Sequence, residues 1–235
     1  MKKSVIYGLK IDRTTARKAA FRLAECASYG KVRTVFTPNF EILTKARRDA
    51  ELIRLLQKAD VLLPDGVGVS LLCKIKKEPP CGRAAGIDTA YLLLRHAARR
   101  GLRVFLLGAE VGIAKEAKRR LCREIPKLCV CGTYHGYFDK SQGSDENTAV
   151  LEKIRQARPD ILLVCFGFPT QERWISENRS SLPSVKIFMG LGGSLDVWSG
   201  KKRRAPVVMR ACGLEWLWRL TFLFEKRKVS KRKTE

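Results

Sequence analysis

Asp65 lies in "VLLPDGVGVS" (61–70), directly after an apolar run and ahead of two glycines. A carboxylate at the end of a buried strand has two explanations. It caps the next helix by accepting backbone N–H bonds, or it is a general base at the mouth of a site, with the glycines leaving room for a ligand. Thr37, Asn39, Gln171, Glu172 and Asp196 occupy comparable places after other apolar runs, and Arg83 lies just ahead of a helical pattern. Arg83, in "CGRAAGID", is either a surface arginine or a guanidinium set to meet a diphosphate. The "GLGGSLD" turn (190–196) is either an ordinary loop or a row of N–H groups for a phosphate or ribose, with Asp196 accepting from hydroxyls.

The chain has two histidines, His96 and His135, and no D-x-D motif, so no metal and no other cofactor is expected. A departing diphosphate would then be stabilised by arginines and loop N–H groups. His96 falls inside the helical pattern "YLLLRHAARR" and reads as structural. His135, in "TYHGYF" at a strand end, suits a substrate-lining loop but is also expected to be structural. The eight cysteines show no zinc-ligand spacing and read as reduced thiols.

Strand patterns occur at 4–9, 32–36, 61–64, 103–108, 128–132, 161–167 and 185–190, several of them apolar on both faces. Helical patterns lie between them at 13–28, 41–59, 88–100, 112–123, 146–157 and 170–180. This alternation predicts an α/β fold with an open, mostly parallel sheet and helices on both faces. Ligands bind such sheets at the carboxyl ends of the strands, which is where the candidate residues fall.

The net charge of +24 calls for an anionic partner. Residues 200–235 hold twelve Lys/Arg and three Glu, and contain "GLEWLWRLTFLFEKRKVSKRK". This segment reads as an amphipathic helix on an anionic membrane surface, or as a final helix with a solvated basic tail. The chain accordingly divides into a core (1–199) and a basic C-terminal helical appendage (200–235). The start lacks the apolar core of a signal peptide, and no run is long enough to span a bilayer. A cytoplasmic protein, peripheral on the inner face of the cell membrane, is expected. Nucleic acid is not expected as the partner, because the loop motifs have no part in that account. A nicotinamide enzyme is disfavoured because no G-x-G-x-x-G is present. A homo-oligomer is left open.

Eight segments in order, among them "TPNFEIL" (37–43), "LLPDGVGV" (62–69), "RAAGID" (83–88), "HGYF" (135–138), "FGFPTQERWI" (166–175) and "GLEWLWRL" (213–220), resemble the WecG/TagA/CpsF family of bacterial glycosyltransferases. The resemblance implies a Rossmann-like core and a metal-independent, inverting transfer. The sugar, N-acetylmannosamine or a relative, would pass from a UDP donor to a polyprenyl-diphosphate-linked GlcNAc acceptor in teichoic acid or surface polysaccharide synthesis. Alternatives are glucose or N-acetylmannosaminuronic acid in capsule or exopolysaccharide. By the same resemblance Asp65 is the base, and Thr37, Asn39, Arg83 and Gln171 line the pocket. Asp196 serves the nucleotide end, and Tyr137, Arg219, Arg227, Lys228 and Lys231 complete the substrate-binding set. The chain departs from the family pattern in having Trp218 for Tyr, Lys226 for Pro, lysines at 228 and 231 for arginines, and "PTQE" for "PKQE". Lysine keeps the charge but loses the bidentate fork.

Overall fold

The computed structural model describes residues 2–206 and Met209. Two compact units are present, Met1–Lys201 and Lys202–Glu235. Most of the appendage, with its Arg219, Arg227, Lys228 and Lys231, lies outside the described residues.

The first unit is built on six parallel strands, β3 (Arg33–Phe36), β4 (Val61–Leu62), β5 (Arg103–Gly108), β6 (Cys129–Tyr134), β7 (Ile161–Cys165) and β8 (Ile187–Gly190). Their order across the sheet is β4-β3-β8-β7-β5-β6. The helices are α1 (Ala16–Ser28), α2 (Phe40–Ala46), α3 (Ala50–Gln57), α4 (Val67–Ile75), α5 (Gly86–Arg100), α6 (Ile113–Glu124), α7 (Asp145–Ala157), α8 (Thr170–Asn178) and α9 (Ser194–Trp198). The Rossmann-like expectation is met in this unit.

Every residue of β7 and β8 is buried, because both faces of the sheet are covered. Side chains alternate between two cores, as the period of two requires. Leu163, Val104 and Met189 face one side with Leu23, Leu93 and Leu121 from α1, α5 and α6. Leu162, Phe105 and Phe188 face the other with Val150, Trp174 and Ile175 from α7 and α8. A closed polar ring secures α7 to α8. Trp174 Nε1 donates to Asn147 Oδ1 (2.8 Å), Asn147 Nδ2 to Asn178 Oδ1 (3.1 Å), and Asn178 Nδ2 to the Trp174 carbonyl (2.9 Å). Each nitrogen in that ring has an acceptor, which offsets the cost of burying it.

The elements differ from expectation in three places. The run at 4–9 is a separate antiparallel hairpin, β1 (Lys3–Ile6) and β2 (Leu9–Asp12), turned by Tyr7 and Gly8 at φ 51° and 79°. Two successive left-handed residues match the twist of a two-residue hairpin turn. Its Asp12 is buried, and Oδ2 accepts from Leu62 N (3.0 Å) and Lys3 Nζ (3.2 Å), tying the hairpin to the edge strand β4. The helix expected at 41–59 breaks in two, because Asp49 caps α3 through its bonds from Glu51 and Leu52 N–H. Helix α4 falls outside the helical patterns of the sequence, and only the capping explanation of Asp65 anticipates a helix there. "VGVSLLCKI" is apolar nearly all round and therefore has no 3.6-residue polar period to reveal it.

Candidate active site

The tips of β4, β3, β8 and β7 are neighbours, and short bonds join them into one arc. Asn39 and Asp65, beyond β3 and β4, form a parallel bridge, with Asp65 N donating to the Pro38 carbonyl (3.2 Å). Thr37 Oγ1 donates to the Gly190 carbonyl at the end of β8 (3.1 Å). Gln171, at the start of α8 after β7, accepts at Oε1 from Gly192 N (2.8 Å) and Gly167 N (3.3 Å). One amide oxygen therefore closes the β7 and β8 loops together. The Arg83 loop joins the other end, with Ala84 N donating to the Pro64 carbonyl (2.9 Å). Thr37, Asn39, Asp65, Arg83 and Gln171 thus belong to one hydrogen-bonded rim.

Local chemistry explains each placement. Asn39 is the N-cap of α2, its Oδ1 accepting from Ile42 N (2.9 Å), so its amide nitrogen is the part left to donate. Gly86, at the start of α5, lies against Thr37: a Cβ there would stand 3.0 Å from both Thr37 Cγ2 and Oγ1. Asp65 is half-buried, and the capping position of α4 falls one residue later, on Gly66 at φ 90°. The two glycines have different uses. Gly66 supplies a left-handed turn with open space beside it. Gly68 does not provide ligand clearance, since a Cβ there would meet Phe40 Cβ at 2.7 Å.

Asp196 and Tyr137 gather elsewhere on the carboxyl edge. Tyr137 is exposed, in the loop after β6, and its N–H donates to His135 Nδ1 (3.2 Å). Asp196 sits in the first turn of α9. Both act on Lys201, whose ammonium pairs with Glu110; that pair foremost, then Asp196 and Tyr137, raises the Lys201 pKa. These residues are therefore a second group, in the loops after β5, β6 and β8.

Glu172 is the group that the substrate-binding set omitted. It is only 2% exposed. Gln171 Nε2 donates to its Oε1 (2.9 Å), while Oε2 has no partner. Ser176 Oγ, one turn along α8, is likewise buried without a partner. Burial pushes the Glu172 carboxyl up to about 7, against the opposing pull of the Gln171 bond. Glu172 fixes which way the Gln171 amide points, and so which atom faces the two loop N–H groups. The "QE" pair was visible in the sequence; its burial was not.

Among the described residues no three His, Cys, Asp or Glu side chains converge as metal ligands. No described helix is long and apolar enough to cross a membrane.

A doubly covered parallel sheet with a polar rim of this kind, at its carboxyl edge, defines an α/β enzyme framework. Residues 4–232 match the glycosyl transferase WecG/TagA/CpsF family, and the chain belongs to that family. A Bacillus subtilis (strain 168) protein named N-acetylglucosaminyldiphosphoundecaprenol N-acetyl-beta-D-mannosaminyltransferase is 34% identical over 186 residues, covering 79% of this chain and 70% of its own. A Staphylococcus aureus (strain MRSA252) protein of the same name is 32% identical over 216 residues, 91% of this chain and 82% of its own.

Proposed function

We propose that the protein transfers N-acetylmannosamine from a UDP donor to a polyprenyl-diphosphate-linked N-acetylglucosamine, with inversion and without a metal, at the inner face of the cell membrane. The relatives' names supply the sugar and the acceptor, and the joined rim around Asp65 supplies the chemistry. The Asp65 carboxylate takes the proton of the acceptor hydroxyl as its oxygen attacks the anomeric carbon. The bond from that carbon to the diphosphate oxygen breaks, and UDP departs with the electron pair. Attack opposite the leaving group turns an α-linked donor into the β linkage that the relatives' names specify.

The charge on the departing diphosphate needs donors already in place. Arg83 and the basic residues Arg219, Arg227, Lys228 and Lys231 supply cations, so no divalent ion is required. Asn39 and Gln171 shape the acceptor and donor sides of the rim, while Asp196 and Tyr137 serve the nucleotide end. The observation that carries this reading is the continuous link from the Arg83 loop through Asp65, Asn39 and Thr37 to Gln171.

The test is Asp65→Asn, which keeps shape and removes the base. Turnover with UDP-N-acetylmannosamine and a short-prenyl diphosphate-GlcNAc acceptor should fall by about 10²–10⁴, with UDP affinity retained. Near-normal transfer would reject Asp65 as the base.

A further inference from the structure

Helix α4 begins two residues after Asp65 and has an unusual surface. Its inner face, Val69, Leu72 and Cys73, is buried in the core. Its outer face carries Val67, Leu71 and Ile75, spaced i, i+4, i+8, and these are 39%, 53% and 63% exposed. Phe40, 46% exposed, lies against Gly68 and widens the strip. The outer face of a surface helix is ordinarily polar, whereas three of the residues here are aliphatic. A contiguous apolar strip at the surface marks an interaction site.

The charges around the strip indicate the partner. Lys74, Lys76 and Lys77 are all exposed. Lys76 Nζ lies 5.3 Å from the centre of the Tyr7 ring, and the Arg47 guanidinium 5.6 Å from the same ring. A second copy of the chain meeting this face symmetrically would bring the same lysines together. Residues 200–235, with twelve Lys/Arg against three Glu, carry the same sign. An anionic lipid surface suits both features, taking aliphatic side chains into the acyl boundary and lysines among the phosphates.

We propose that the outer face of α4 docks on an anionic bilayer, with Phe40, Val67, Leu71 and Ile75 inserted and Lys74, Lys76 and Lys77 at the headgroups. This deepens the reading above and rests on its lipid-anchored acceptor. Docking through α4 would hold Asp65 at the depth where such an acceptor presents its diphosphate-linked sugar.

The experiment uses the full chain and its Leu71→Glu/Ile75→Glu variant, both positions being exposed. Each is sedimented with vesicles of phosphatidylglycerol and phosphatidylcholine, and with phosphatidylcholine alone. The wild type should prefer the anionic vesicles, and the double variant should partition at least about tenfold less, since two buried aliphatic side chains are lost from the contact. Lys74→Glu/Lys77→Glu should weaken binding to the anionic vesicles only. Unchanged partition of the Leu71/Ile75 variant would overturn the proposal, as would equal wild-type binding to both vesicle types. A wild-type oligomer that the double variant splits into monomers would assign the strip to a second copy instead. Wild-type transfer to a water-soluble short-prenyl acceptor is measured in parallel. Its failure, with the vesicle result intact, counts against the proposed reaction and leaves the docking face standing.

Discussion

Asp65 stands beyond the edge strand β4, half-buried and bracketed by backbone bonds. Glu172 stands three strands along the same rim, after β7, buried and with one oxygen unmatched. The two carboxyl groups answer to opposite demands. One is partly exposed and is the base of the proposed reaction. The other is shut away with its proton held to about pH 7 by burial, and acts on the site only through the Gln171 amide. The carboxylate proposed to react and the one that positions Gln171 differ in solvent access.

Four substitutions probe that contrast. Asp65→Asn should give the largest change, the loss of turnover already described, with an unaltered melting temperature. A large drop in stability would mean that Asp65, like Glu172, is mainly structural. Glu172→Gln should behave in the reverse way. An unfolded glutamate titrates near 4.5 and the folded one near 7. The folded chain therefore holds an extra proton between those values, and stability is lost as pH rises from 4.5 through about 7. The glutamine variant is spared this loss, so it should match the wild type at pH 5 and exceed it at pH 8, by on the order of 3 kcal/mol at most. Denaturant titrations at the two pH values check this, and a difference independent of pH would contradict it.

Gln171→Ala leaves the Gly167 and Gly192 N–H groups without their acceptor. It should cost about 1–3 kcal/mol of stability and raise the KM for the donor, as thermal melts and steady-state kinetics would show. Gly86→Ala should be the mildest. Thr37 must yield a few tenths of an ångström, and a modest fall in transfer with under about 1 kcal/mol of destabilisation is expected. If it is as damaging as Gln171→Ala, the Thr37 side of the rim is as tightly set as the Glu172 side.

The sheet was legible because runs such as "ILLVCFG" are apolar on both faces, and Thr37, Asn39, Asp65 and Gln171 were legible because each follows one of them, while Arg83 was legible as a cation just ahead of a helical pattern. Helix α4 was hidden by its lack of a polar face, and the helix break at Asp49 by an uninterrupted apolar pattern. The role of Gly68 depended on Phe40, a contact made in three dimensions. Glu172 was seen only as a polar loop residue. Nothing in "PTQE" states that its second carboxyl oxygen would be sealed from water, because that depends on the packing around α8.

Strand β4 is two residues long and has a neighbour on one side only. Its outer side is held by the hairpin, whose Asp12 carboxylate accepts from Leu62 N–H, and both residues of β4 are buried. The strand tip before Asp65 is therefore fixed from both flanks, by the hairpin and by β3. The carboxylate proposed as the base thus extends from a held strand tip into a turn at Gly66 that has open space beside it.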